Sequence, residues 1–264
     1  MLTRFLPLCF LAAALCTCDG GQTQHDNRQE NAADIDSYEE ALLASEDNKT
    51  YFPIFNGEDL SGWHNYGQDE AGSAWKVNKK GELYLDTSEK EDGRIVGGGD
   101  IVTDEAYENY ELTLDWKIGE CGNSGIIYNV IESSDYDYPW RTGPEMQILD
   151  DTCHPDAKIV THRAGDLYDM ITGDPSAVKP AGQWNRVRLV VTDGQVEHYL
   201  NGRKLLEYRN TGKEWEAMIA DSKFKDFEGF GSVTGGHISL QDHGDPVWFR
   251  NIRIRLLDGD EPTK

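Results

Sequence analysis

The chain has 264 residues and a formal net charge of -23, with no basic run to offset it, so a nucleic-acid partner is excluded. Hydrophobic residues make up 38% of the chain and include seven Trp and twelve Tyr, which excludes disorder throughout and is enough for a sizeable core. Because all-β sandwiches reach this length as single units, we expect one large domain with tails.

The first 17 residues have the pattern of a secretory signal peptide. Arg4 supplies the positive start, and residues 5–15 form an apolar run too short to span a bilayer. Residues 15–18, Leu-Cys-Thr-Cys, are similar to a bacterial lipobox in which Cys18 would be acylated. We expect an exported Gram-negative lipoprotein, periplasmic or on the cell surface, that contacts the membrane only through lipid on Cys18. Ordinary signal cleavage is the alternative.

Residues 18–50 are polar and acidic and show no apolar period, which predicts a flexible tether. Within this stretch, Ser37 and Glu40 have the spacing of a capping box, so a short helix through Leu43 is expected. Residues 51–258 carry the pattern of the folded domain, and residues 259–264 form a C-terminal tail.

From residue 52 onward, short β-branched and aromatic runs alternate with turn signals. This pattern indicates an antiparallel sandwich and not βαβ units. The clearest predicted strands span 111–118, 184–191, 196–200, 236–240 and 247–254. Asp193-Gly194 and Asn201-Gly202 predict hairpin turns on either side of the third strand. Residues 214–224 predict a helix, because their apolar residues fall on one face.

Two cysteines lie within the predicted domain. Cys121 and Cys153 belong to a chain that we expect to be exported, where disulfides persist. Neither has the CxxC spacing of a structural zinc site. We therefore predict a disulfide between them.

A run of alternating polar and apolar residues begins at Glu145. Glu145 and Gln147 share one face of this predicted strand, and the apolar residues between them share the other. If the apolar face meets the core, the polar pair projects into a cleft. A bulge would bring Asp150 or Asp151 beside Glu145, giving the acid–base carboxylate pair of a glycosidase. The alternative is a strand whose Glu145 is solvated.

The segment 241–245, Gln-Asp-His-Gly-Asp, is unusually polar for a tight hairpin between two strands. His243 is a candidate proton-transfer group, because a His with a pKa near 6.5 suits that task at neutral pH. A structural His is the alternative.

Several histidines and carboxylates cluster around Cys153 in the sequence. They are His154, His162 and Asp166, with Asp150 and Asp151 nearby. Their spacing matches no standard ligand pattern, so we predict no metal and no cofactor. Hydrogen bonds that stabilise the loop are expected in place of a metal site.

Blocks of sequence occur in one order between residues 55 and 257. They are FNGEDLSGW (55–63), GNSGI (122–126), GPEMQILD (143–150), CHPD (153–156), AGDLY (164–168), KPAGQW (179–184) and LQDHGDPVWFRNI (240–252). Together they resemble the 3-keto-disaccharide hydrolase family, particularly its secreted Bacteroidota members. Asn129 departs from the pattern, because many relatives have Arg there.

The resemblance implies an all-β, concanavalin- or laminarinase-like jelly roll of two antiparallel sheets, with one or two short helices and a cleft on the concave sheet. It also implies action on glycosides already oxidised to a ketone at C3. The catalytic residues would be Glu145, His243 and Asp150. The glycoside would contact Asn123, Tyr128, Gln147, Arg163, Asp166, Tyr168, Lys179 and Gln241.

We therefore expect a 3-keto-glycoside hydrolase or lyase that works by base-assisted elimination or by hydrolysis. A jelly roll equally supports an ordinary glycoside hydrolase acting on unoxidised glycan, or a non-catalytic carbohydrate-binding module. An esterase is excluded, because Gly122-Asn-Ser-Gly lacks the GxSxG elbow and its following helix.

Overall fold

The computed structural model describes residues 51–257. The predicted signal peptide, Cys18 anchor, tether, short helix and C-terminal tail lie outside these residues. The described residues form two main antiparallel sheets, a two-stranded sheet and one α-helix. This architecture confirms the predicted jelly-roll sandwich.

In chain order the strands are β1 (Phe52–Pro53), β2 (Trp63–Asn65), β3 (Trp75–Val77), β4 (Leu83–Leu85), β5 (Lys90–Glu91), β6 (Arg94–Ile95), β7 (Ile101–Thr103), β8 (Tyr110–Ile118), β9 (Asn123–Val130), β10 (Glu145–Leu149), β11 (Asn185–Thr192), β12 (Gln195–Leu200), β13 (Arg203–Arg209), β14 (His237–Leu240) and β15 (Val247–Leu256). The large sheet has the order β13-β12-β11-β8-β15-β4-β3, and β1 pairs with β15. The small sheet has the order β10-β9-β14-β7-β2. The hairpin β5-β6 stands apart from both.

Buried and partly exposed residues alternate along the strands of the large sheet, and the buried apolar side chains fill the space between the two sheets. On β11, Val187, Leu189 and Val191 are fully buried, whereas the residues between them are partly exposed. The predicted hairpin turns are also present: Asp193 and Asn201 have φ of 48° and 50°, and each is followed by a glycine with positive φ. Asn and Gly tolerate this backbone region, which is why these dipeptides predict tight hairpins.

The inner face of the small sheet packs against the large sheet. On β10, Met146 and Ile148 belong to this core, as predicted. The opposite face of the small sheet is free of the large sheet and forms the concave surface. Residues on that surface are placed by the antiparallel register, which pairs Glu145 with Ile127 and Gln147 with Gly125.

The single described α-helix is α1 (Lys213–Ala220), which ends earlier than the predicted 214–224. Ser222 explains the early end, because its hydroxyl donates to the Ile219 carbonyl and accepts from the Phe224 N–H. Such local bonds compete with helix continuation. Trp215 anchors α1 in the core and stacks on Tyr208 with ring centroids 5.3 Å apart. Within residues 51–257, no helix is long enough and apolar enough to cross a bilayer.

Candidate active site

A row of residues crosses the concave surface of the small sheet. Gln147 on β10 pairs with Gly125 on β9, and the Gln241 N–H after β14 donates to the Gly125 carbonyl at 3.0 Å. Because Leu240 pairs with Ile101, the next residue, Gln241, lies opposite Asp100. The row is therefore Gln147, Gly125, Gln241 and Asp100, and it crosses four strands.

The carboxyl of Glu145 lies over Gly125. A Cβ atom added to Gly125 would be 2.1 Å from Glu145 Oε1 and 2.7 Å from its Cδ. The missing side chain of Gly125 thus provides the space that the carboxyl occupies. This position takes the Glu145 carboxyl one strand inward from its own backbone, towards the centre of the concave surface.

Glu145 is only 7% exposed. Burial raises the pKa of its carboxyl to about 8, with Lys223 opposing the shift and Asp100 and Asp156 adding to it. Burial disfavours the charged form of a carboxyl, and the Lys223 charge offsets only part of this effect. At neutral pH the Glu145 carboxyl is therefore mostly protonated and can donate a proton.

Asp100 precedes β7 and carries a second carboxyl with a raised pKa. Its Oδ1 accepts from the Asp242 N–H at 2.8 Å. Burial raises the pKa of Asp100 to about 7, the Asp242 N–H bond opposes this shift, and the Asp242 carboxylate adds to it. Gly125 and Asp100 are two strand spacings apart, or about 10 Å. These two backbone positions are therefore far enough apart for a sugar ring to lie between them.

A cavity of about 570 Å³ opens at the Asp100 end of this row, and Glu145 does not line it. Its lining includes Asp100, Gln241 and His243 from the sheet side, and Tyr138 and Trp140 from the loop before β10. Gln241 is 8% exposed, and its Oε1 has no hydrogen-bond partner among residues 51–257. A buried acceptor without a partner is costly. Such an acceptor suits a ligand that brings hydroxyl donors.

Lys223, three residues beyond α1, is the cation whose charge acts on the Glu145 carboxyl. Its ammonium lies 3.9 Å from the centre of the Tyr168 ring. The pKa of Lys223 is lowered, because the effect of burial outweighs the opposing effects of Glu145, Asp169 and Asp156. The site therefore combines a positive charge with the protonated Glu145.

Residues 50–255 match the family described as the 3-keto-alpha-glucoside-1,2-lyase-like domain. The chain belongs to this family.

Similar proteins come from Bacteroides and Parabacteroides species. The chain is 34% identical to a 3-keto-disaccharide hydrolase of Bacteroides thetaiotaomicron, over 96% of this chain and 99% of the relative. It is also similar to two solved structures of candidate glycosyl hydrolases from Parabacteroides distasonis. The first has a TM-score of 0.69 at 34% identity and covers 79% of this chain and 94% of that one. The second has a TM-score of 0.60 at 27% identity and covers 79% and 100%.

Several residues predicted for the site of this lyase-like domain lie on its concave surface. Gln147 and Gln241 belong to the row that crosses the small sheet, and the Glu145 carboxyl lies over Gly125 in that row. His243 is exposed at the cavity wall, and its ring centroid is 6.4 Å from that of His154. The Tyr168 hydroxyl donates to Asp156 at 3.4 Å, beside Lys223.

Asp150 does not form the predicted pair with Glu145. Its carboxylate accepts from the Cys121 N–H at 2.9 Å and from the Thr152 N–H and hydroxyl. Burial alone would raise the pKa of Asp150, but these bonds outweigh it and lower the pKa. Asp150 therefore holds the turn beside the Cys121–Cys153 disulfide, whose Cα atoms are 4.7 Å apart. The predicted disulfide pairing is confirmed.

Tyr128 is not available to a substrate, because it lies in the core and is fully buried. Its hydroxyl contacts His198 Nε2 at 2.8 Å and the Tyr208 hydroxyl at 2.6 Å. His198 Nδ1 donates to the Gly165 carbonyl, so Nε2 accepts from Tyr128. Burial lowers the pKa of His198 to about 4, which keeps the ring neutral. This network joins the two sheets.

Three other predicted contacts lie elsewhere. Asp166 is 2% exposed, and its carboxylate accepts from the Arg163 and Gly173 N–H groups, so it holds a loop. Arg163 and Lys179 line a different pocket of about 300 Å³, together with Asp150. None of the three lines the cavity that contains Asp100.

Asn123 begins β9, is 3% exposed, and has an Oδ1 without a partner among the described residues. The histidines around Cys153 form hydrogen bonds to other protein groups. His162 Nε2 is 3.0 Å from Asp169 Oδ1, and His154 accepts from the Asp156 N–H. In the described range, the one group of candidate metal ligands contains the two disulfide sulfurs.

Sequence reasoning missed Asp100 and Lys223. Asp100 follows three glycines that read as a turn, and only the order of strands brings it to Gln241. Lys223 lay inside the predicted helix, where a lysine gives no functional signal. The one available signal for Asp100 was a carboxylate next to a short β-branched run.

Proposed function

We propose that this chain is a carbohydrate-active enzyme that cleaves the glycosidic bond of 3-keto-glycosides, with Glu145 and Asp100 as its acid and base. Two carboxyls with raised pKa values on one face of the small sheet carry the proposal, and Asp100 also lines the cavity. Perturbed carboxyls in a cleft are the usual mark of acid–base chemistry. The family description and the similarity to a 3-keto-disaccharide hydrolase support the substrate class.

The ketone at C3 makes the chemistry possible, because it acidifies the proton on C2. Asp100 takes that proton, and the electron pair of the C2–H bond forms the enolate. The enolate then forms the C1=C2 double bond as the C1–O bond breaks, and Glu145 gives its proton to the departing oxygen. Water adds to C1 while C2 regains a proton, so the net reaction is hydrolysis.

The protonation states fit these roles near neutral pH. Glu145, with its pKa raised to about 8, holds a proton to donate. Asp100, with its pKa raised to about 7, is partly ionised and still basic enough to accept one. Lys223, whose charge acts on Glu145, supplies positive charge to the site, and positive charge favours a developing enolate. His243 at the cavity wall is the alternative base.

An ordinary glycoside hydrolase is the second candidate. Inverting enzymes use two carboxyl groups about 6.5–9.5 Å apart, with water between one carboxylate and the sugar. The raised pKa values of Glu145 and Asp100 would equally suit an acid and a base of this kind. This candidate requires no ketone.

The deciding experiment compares a 3-keto-glucoside with the matching unoxidised glucoside at equal concentrations. We expect turnover of the keto form only, with transient ultraviolet absorbance from the 2-hydroxy enone. Equal rates on both substrates would favour the ordinary glycosidase. Saturable binding of both without turnover would favour a binding module.

A further inference from the structure

An exposed aromatic pair stands at the rim of the cavity. Tyr138 is 43% exposed and is one of four large hydrophobic side chains exposed within residues 51–257. Its ring stacks on Trp140 with centroids 5.0 Å apart and planes inclined by 10°. We call Tyr138 and Trp140 the aromatic platform. One ring face of Tyr138 is covered by Trp140, so the surface that remains is a flat apolar face.

The protein holds this platform in place before any ligand arrives. Both residues belong to a 3₁₀ turn at Pro139–Arg141 or directly precede it, and the Arg141 N–H donates to the Tyr138 carbonyl at 3.0 Å. Trp140 packs on Phe227 at 5.7 Å, and the Arg141 guanidinium lies 4.1 Å from the same ring. A surface ordered in advance loses less conformational entropy on binding.

The aromatic platform lines the same cavity as Asp100 and Gln241. Under the proposed function the keto ring lies on the sheet between Asp100 and the Glu145 carboxyl, at the edge of this cavity, because Asp100 lines it and Glu145 does not. At about 570 Å³, the cavity falls in the range of pockets that enclose a drug-sized ligand, which is larger than one sugar ring. The remaining space extends from the sheet to the aromatic platform.

We propose that the aromatic platform binds the second sugar ring of a disaccharide, the one that leaves with the glycosidic oxygen, and thereby sets the preference for disaccharides. This inference rests on the proposed function. The C–H face of a hexose packs on an aromatic ring as apolar surface does. The occupant is not anionic, because the lining holds Asp100, Asp137 and Asp242 against Arg94. An anionic ring would meet this excess of negative charge.

The first test compares kcat/KM for a 3-keto-disaccharide with that for methyl 3-keto-glucoside, which lacks the second ring. Tyr138→Ala should lower the ratio of the two values about 3- to 10-fold, as expected for one lost stacking contact. Tyr138→Phe should retain the ratio, because it keeps the ring. Val160→Ala removes an exposed apolar side chain that does not line the cavity and should leave the ratio unchanged.

An unchanged ratio in Tyr138→Ala would overturn the inference. Phenyl 3-keto-glucoside provides a further arm: if Tyr138→Ala affects this substrate and spares the disaccharide, the aromatic platform selects an aromatic aglycone and the assignment to a sugar is wrong.

A second test does not depend on the ketone. Tryptophan fluorescence is titrated with an unoxidised glucose disaccharide in the wild type, in Tyr138→Ala and in Trp140→Phe. Saturable quenching that weakens in both variants supports the inference. Quenching that is absent from the wild type, or the same in all three proteins, overturns it. If no keto substrate is turned over at all, the proposed function fails, and this titration still decides what the aromatic platform binds.

Discussion

Replacing Glu145 by Gln should make the protein more stable at alkaline pH while it removes activity. The folded pKa of Glu145 is about 8, and the ordinary value is 4.5. Between these values the folded state binds more protons than the unfolded state, so stability falls as pH rises through this window. At about 1.4 kcal/mol per pKa unit, the shift corresponds to about 5 kcal/mol. Glu145→Gln removes this loss, because the amide does not ionise.

The assay is urea unfolding of wild type and Glu145→Gln at pH 5 and pH 8, with turnover of a 3-keto-glucoside measured in parallel. The stability of the variant relative to wild type should rise by about 3 to 4 kcal/mol of this total between these pH values, and its rate should fall about 10²- to 10⁴-fold. Glu228→Gln, at an exposed site, is the matched control and should change neither quantity. A stability difference that does not depend on pH would refute the raised pKa and with it the role of Glu145 as an acid.

Three further predictions follow from the same geometry. Asp100→Asn should lower kcat about 10²- to 10⁴-fold. The wild-type rate should rise through about pH 7 as Asp100 ionises and fall through about pH 8 as Glu145 loses its proton. A pH–rate profile without both limbs would count against this pair of carboxyls. Gly125→Ala should push the Glu145 carboxyl from its position and reduce kcat, with a small change in melting temperature because a flexible side-chain end can move; full activity in this variant would mean that the carboxyl position is unimportant. Cys18→Ser should move the protein from the membrane fraction to the soluble fraction, because the predicted lipid is the anchor; unchanged partitioning would exclude it.

The parts of the fold that follow from local pattern could be predicted from the sequence. Strand β11 alternates strictly, so its buried face follows from period two. The hairpins at Asp193 and Asn201 follow from residues that tolerate positive φ. The direction of Glu145 follows from the apolar residues on either side of it.

The parts that depend on strand order could not be predicted in this way. Asp100 and Gln241 are neighbours because β7 and β14 are adjacent, although 141 positions separate them in the chain. The strand pattern suggested that Asp150 is free to act beside Glu145. Its carboxylate instead accepts from the backbone N–H groups of turns, which a strand pattern does not describe. Tyr128 could have been recognised as core, because it shares its strand face with the apolar Ile126.

In the proposed reaction the site removes the proton on C2 before or as the leaving group departs. This step is measured by kcat/KM for a 3-keto-glucoside deuterated at C2, compared with the protiated substrate. We expect a normal primary isotope effect or, if proton transfer is reversible, loss of deuterium to water from recovered substrate. An isotope effect of unity with full retention of deuterium at C2 in the recovered substrate would exclude removal of the C2 proton.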